Sequence, residues 1–106
     1  MKVEYKQLKI NKNWIEKNIT GICWQRKIYS GRVNFFINHM KNNTFREHSS
    51  ITLWKNSKNN VCKILDGQHK IEAIKNFNSE FLMDLRIISD ISFILEVMIQ
   101  QKQQIL

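Results

Sequence analysis

Apolar positions change their period several times along this chain of 106 residues, and each change marks an element. Val3 and Tyr5 alternate with charged neighbours before the phase shifts near Leu8, which predicts a strand over Val3–Ile10. Asn11 to Asn18 then reads as a loop or one short helical turn. From Gly31 to about Asn42, Val33, Phe36, Ile37 and Met40 recur with the spacing of one helix face, and Ser30 is placed to cap that helix. Ile51–Trp54 and Val61–Leu65 read as short strands around the polar residues 56–60, a loop compatible with a hairpin. A helix over Lys70–Phe77 follows, and Phe81–Ile88 alternates again, with Asp84 and Arg86 opposite Met83, Leu85 and Ile87. Ser89 or Asp90 then precedes a last helix whose apolar positions include Ile91, Ile94, Leu95 and Met98. The predicted order is β, α, β, β, α, β, α, an α+β fold in which a small mixed sheet packs with helices in a single domain spanning 1–106.

The break between the strand ending at Leu65 and the next helix carries the chemistry. Asp66-Gly67-Gln68-His69-Lys70 turns the chain in a few residues and places four polar side chains at a helix start. Gly67 permits a positive φ and a close approach to the backbone, and the first-turn N–H groups have no partner within the helix. Such a turn seats an anion, and phosphate is the expected one. Lys70 brings a mobile positive charge, His69 exchanges a proton near neutrality, and the Gln68 amide donates and accepts hydrogen bonds.

These residues resemble the Asp-Gly-Gln-His-Arg motif of the ParB/sulfiredoxin-like superfamily, with Lys70 at the final Arg. Upstream, Trp24-Gln25-Arg26, then Arg32-Val33 and the apolar set Phe36, Ile37 and Met40, is similar to the Gln-Arg element and following helix of such domains. DndB-type and GmrS-type proteins of modification and restriction systems fall in the same group. Order and spacing agree over roughly residues 20 to 76. The resemblance implies that Asp66 holds the turn or a metal ion, that Gln68 fixes ligand orientation, and that His69 and Lys70 contact phosphate. Gly67 would admit the ligand to the backbone, with Gln25 and Arg26 converging from the earlier element. It also implies a nucleoside triphosphate with Mg2+, or the end or backbone of a nucleic acid, as ligand. The setting would be DNA transactions such as partition, restriction or modification control, often in mobile elements or viruses. If the domain is an NTPase or a nuclease-like phosphate-ester hydrolase, His69 or Glu72 would serve as general base.

The departures bear on catalysis. Against ParB's second box, Gly-Glu-Arg-Arg-x-Arg-Ala, Gly67 and Ala73 are kept, His69 and Lys70 stand at two Arg positions, and Gln68 and Glu72 replace the Glu and the last Arg. Loss of that Glu weakens ParB-like hydrolysis of CTP. Sulfiredoxin chemistry needs a Cys directly before the motif His, where this chain has Gln68. Cys62 sits in the apolar strand as a small buried hydrophobe. The ParB helix-turn-helix domain is not expected in this stretch, since nothing after Ile88 is long enough to hold it.

Composition narrows the partners. Residues 1–75 hold 15 Lys/Arg against 5 Asp/Glu, whereas residues 76–106 hold 2 against 4, so the overall charge of +8 is concentrated in the half with the motifs. That concentration would attract nucleotides or nucleic acid, although lysine is abundant here beside Asn and Ile, as in proteins from AT-rich genomes. No signal peptide or membrane-spanning run is expected, and two cysteines without metal-ligand spacing suggest a reducing, cytoplasmic setting. His39 and His48 read as solvated surface residues, and Trp14, Trp24 and Trp54 as core rather than base-stacking platforms. The bland alternative for Asp66 is a turn cap, and for Gln25-Arg26 an exposed pair at a strand end. The competing function is a non-enzymatic module for nucleic acid or a protein partner, including an inhibitor role or a homodimer.

Overall fold

The computed structural model describes residues 2–22, 27–56 and 62–89. In chain order these form β1 (Lys2–Ile10), α1 (Lys12–Asn18), β2 (Ile19–Ile22), α2 (Ser30–Lys41), a 3₁₀ turn (Phe45–His48), β3 (Ser50–Lys55), β4 (Cys62–Asp66), α3 (Gln68–Phe77) and β5 (Phe81–Ser89). The strands make one mixed sheet in the order β1-β5-β3-β4-β2. β3 and β4 pair antiparallel, and α3 then carries the chain to the far side of β3, where β5 lies parallel to it. The fold is therefore α+β, a small mixed sheet packed with helices. Among the described residues no helix is long and apolar enough to cross a membrane.

Four elements differ from the sequence expectation. Asn11 caps α1, its side chain accepting the Trp14 N–H at 2.9 Å, and burial of Ile15 holds a helix longer than one turn. β2 has only four residues and little alternation; its parallel pairing with β4 makes it a strand, and the Thr20 hydroxyl adds a bond to the Cys62 carbonyl at 3.3 Å. Ser30 lies inside α2, whose cap is Tyr29; the Tyr29 carbonyl accepts from the N–H groups of Arg32 and Val33 at 3.0 and 3.1 Å. The motif helix starts at Gln68 rather than Lys70. Residues 57–60 of the polar loop, Val61 and the last helix fall outside the described residues.

Register decides which face is covered. Met83, Leu85 and Ile87 of β5, with Ile51 and Leu53 of β3 and Ile64 of β4, share the buried cluster. Val33, Phe36 and Met40 of α2 and Ile71, Ala73 and Ile74 of α3 cover them. Cys62 is buried in the same cluster, as expected, and burial pushes its thiol pKa up, so it remains an unreactive thiol. Trp54 is also buried, and Trp14 packs against the core; Trp24 lies outside the described residues.

Asp84 stitches β5 to its surroundings. It accepts two bonds from Arg46 of the 3₁₀ turn, at 2.7 and 3.1 Å, and one from Gln7 of β1 at 2.9 Å. These bonds, Arg46 foremost, hold its carboxyl below the usual aspartate range. A depressed folded-state pKa means the carboxylate adds stability above roughly pH 4 and loses it as pH falls through the lower value. Melting temperature measured from pH 6 to 2 should therefore fall more steeply in the wild type than in Asp84→Asn. Parallel curves would remove Asp84 from the acid transition.

Candidate functional site

The strand-to-helix junction has the geometry that its sequence demands. Gly67 adopts φ 105° and ψ 21°, a left-handed conformation that side-chain-bearing residues rarely take. A Cβ there would lie 2.6 Å from Cγ2 of Ile51, so both the dihedral and the space require glycine. The Gly67 carbonyl accepts the Ile71 N–H at 3.0 Å, the first bond of α3, and no side chain caps the helix. The backbone N–H groups of Gln68, His69 and Lys70 thus precede the first intrahelical bond, at the positive end of the helix dipole. Asp66, exposed at the end of β4, is not the cap; its charge favours the ammonium form of Lys70.

Lys70 faces α2. Its ammonium donates to the Ser50 carbonyl at 2.9 Å and lies 5.7 Å from the centre of the Phe36 ring. Arg32, in the first turn of α2, places its guanidinium carbon 4.9 Å from the same ring and 5.3 Å from that of Phe35. Among the described residues neither cation has a carboxylate within ion-pair distance. Burial lowers the Lys70 pKa, Asp66 opposes that shift, and Arg32 deepens it. Two cations on one ring, with no carboxylate at ion-pair distance among the described residues, make the open end of α3 electropositive.

His69 joins the two helices. Its Nε2 accepts the Tyr29 N–H at 3.2 Å, and the two rings stack with centroids 6.2 Å apart. The nitrogen lone pair that a general base would use is thus engaged by the backbone at the start of α2. Glu72, the other candidate base, lies 3.7 Å from Lys75 as an ion pair. It points away from Lys70, onto a cleft of about 270 Å³ between α3, β2 and α1 that Gln68 and Lys75 also line.

The motif therefore opens in two directions: Lys70 and His69 toward α2, Gln68 and Glu72 toward β2. Gln25 and Arg26, expected to converge on the seat, lie outside the described residues. The converging arginine that the structure does place there is Arg32. Sequence pattern names α2 for its buried stripe, and Arg32 precedes that stripe by one residue and stands one helical turn before Phe36. A basic residue one turn before a core aromatic is a signal too common to single out alone. Tyr29 and the Ser50 carbonyl could not be found from sequence, since their roles arise only when α2, β3 and α3 meet.

His39 and His48, expected as solvated surface residues, are only partly covered. Both are half-buried, their rings 4.3 Å apart against Phe35, with Thr44 Oγ1 2.6 Å from His39 Nδ1. The turn at Phe45–His48 folds His48 back onto α2, a contact that a polar-loop pattern conceals. Among the described residues no three His, Cys, Asp or Glu side chains group as a metal site.

Comparison of the chain with protein-family models, curated proteins and solved structures finds no match.

Proposed function

We propose that this chain is a phosphate-binding domain of ParB-like type whose ligand is a nucleotide or a nucleic-acid end or backbone, acting in DNA transactions such as restriction, modification control or partition. The observation that carries the reading is the pairing of Arg32 and Lys70 on the Phe36 ring, with no carboxylate at ion-pair distance among the described residues, beside the uncapped start of α3. An anion bound there would recover the electrostatic cost of holding the two cations together. The motif's likeness to Asp-Gly-Gln-His-Arg domains and the basic first three-quarters of the chain supply independent support.

Binding is favoured over hydrolysis. His69 is occupied by the Tyr29 N–H and Glu72 by Lys75, so neither stands ready to take a proton from water. The acid and arginine that ParB carries at positions 68 and 72 are replaced as well. Purified protein with Mg2+, a nucleoside triphosphate and DNA should release no more phosphate than His69→Ala does. Release well above that control would establish an enzyme instead.

The same preparation tests the seat by calorimetry with inorganic tripolyphosphate. Lys70→Ala should weaken binding about ten- to a hundredfold, the scale of one charge-assisted contact of ~1.5–3 kcal/mol. Lys9→Ala on edge strand β1 should change little at physiological salt, because separated exposed charges are largely screened. Equal losses at both positions would mean a diffuse basic field, the behaviour of a general nucleic-acid module.

A further inference from the structure

The two edges of the sheet are unlike. β2 has four residues, and its pairing with β4 shifts register between Ile19 and Gly21, which blunts that edge. β1 at the other end has nine residues and pairs with β5 without a shift, from Lys2↔Ser89 to Ile10↔Phe81. Among the described residues no strand lies beyond β1, so the backbone groups on its outer side present a row of donors and acceptors to a further strand. Apolar surface accompanies that row: Tyr5 is 77% exposed and Leu8 36%.

Charge selects the strand that fits. The lysines at positions 2, 6 and 9 guard the edge against an arbitrary partner, but Glu4 among them makes β1 complementary to itself in one register. Opposed side chains in a sheet share a face, so in a symmetric antiparallel pair one residue meets its own copy on the two-fold axis and defines the register. Only Tyr5, Lys6 or Gln7 on the axis overlaps most of the strand. Lys6 on the axis sets two ammonium groups against each other, and Gln7 leaves Glu4 opposite Ile10 and Lys6 opposite Leu8, with no charge matched. Tyr5 on the axis places Glu4 opposite Lys6 twice, with Lys2 opposite Leu8 and Val3 opposite Gln7. Within one copy Glu4 and Lys6 already form an ion pair at 3.7 Å. Two copies therefore close a square of alternating charges on one face of the sheet, while the two Tyr5 rings meet on the other. We infer that β1 is a dimerisation edge, on which a second copy of this chain adds its own β1 antiparallel and centred on Tyr5, so that both sheets become one. One strand from each copy makes a small interface, and the dimer forms as protein concentration rises.

Sedimentation equilibrium of the full chain over about a hundredfold range of concentration should show monomer and dimer in exchange. Glu4→Lys and Lys6→Glu, each alone, set like charges opposite each other and should weaken the dimer about tenfold or more. An equimolar mixture of these two variants should restore dimer, because every opposed charge pair is again lysine with glutamate. Thiols read the register. In a Cys23→Ser background, where the remaining native thiol, Cys62, is buried, Tyr5→Cys should cross-link between copies on oxidation with diamide, since opposed Cα atoms of an antiparallel pair lie within disulfide range. Lys6→Cys and Gln7→Cys, which face their own copies only in the rejected registers, should cross-link far more slowly. A wild type that stays monomeric throughout overturns the proposal, as does a dimer that neither charge variant weakens or whose fastest cross-link forms at position 6 or 7. Should a variant fail to fold, the wild-type sedimentation and the remaining cysteine variants decide by the same outcomes.

Discussion

Gly67→Ala should cost about 2–6 kcal/mol of folding stability, measured by urea unfolding, the largest single-residue effect expected in this chain. Two penalties combine. An alanine held at φ 105° sits in a sparsely populated region, which costs of order 1–3 kcal/mol. Its methyl group would also stand 2.6 Å from Ile51 Cγ2 and 3.1 Å from Ile51 Cβ. Ile51 is fully packed within the core, so relief requires β3 to move, and overpacking of this kind costs typically 1–3 kcal/mol. The Gly31→Ala variant is the internal contrast. Gly31 lies inside α2 with nothing within 4 Å of its would-be Cβ, so alanine should be neutral or stabilise by up to ~1 kcal/mol. A Gly67→Ala protein as stable as the wild type would show that the junction does not have this geometry, and the phosphate seat built on it would fall with it.

What the sequence conveyed about the fold followed the strength of each local signal. β5 was legible because Met83, Leu85 and Ile87 alternate with Asp84 and Arg86 on a strand buried on one side only, where the alternation is unambiguous. α2 was legible because its buried Val33, Phe36 and Met40 keep helical spacing. β2 was not, since four residues pairing with β4 carry no period of their own and exist as a strand only through a partner over 40 residues later. The same division holds at the site. Asp66 to Lys70 announced a strand, a turn and a helix start, and Gly67 at positive φ with α3 beginning at Gln68 follows from the chemistry of that turn. Which way each polar side chain opens was hidden. Gln68 and His69 differ by one residue and hence by about 100° around the helix, enough to send one to β2 and the other to Tyr29. Only the packing of α2 and α1 on either side of α3 converts that angle into two distinct surroundings.

Removing both seat cations should abolish measurable tripolyphosphate binding. With each contact worth ~1.5–3 kcal/mol, Arg32→Ala with Lys70→Ala should lose about 10²–10⁴-fold in affinity. The two losses should not be independent, because both cations rest on Phe36 and Arg32 disfavours the charged form of Lys70. Protons provide the second readout. Burial and Arg32 lower the Lys70 pKa in the free protein, so the neutral amine becomes populated at a less alkaline pH than for an ordinary lysine. An arriving anion favours the ammonium and raises that pKa, so binding must take up a proton between the lowered value and the raised one. Calorimetry in two buffers of different ionisation enthalpy, stepped toward alkaline pH, should therefore reveal uptake in the wild type. In Arg32→Ala the uptake should shift to higher pH, since the charge that lowers the Lys70 pKa alongside burial is gone. Lys70→Ala should show none. Proton uptake that persists unchanged in Lys70→Ala would assign it to another group, and the electropositive seat on Phe36 would no longer account for anion binding.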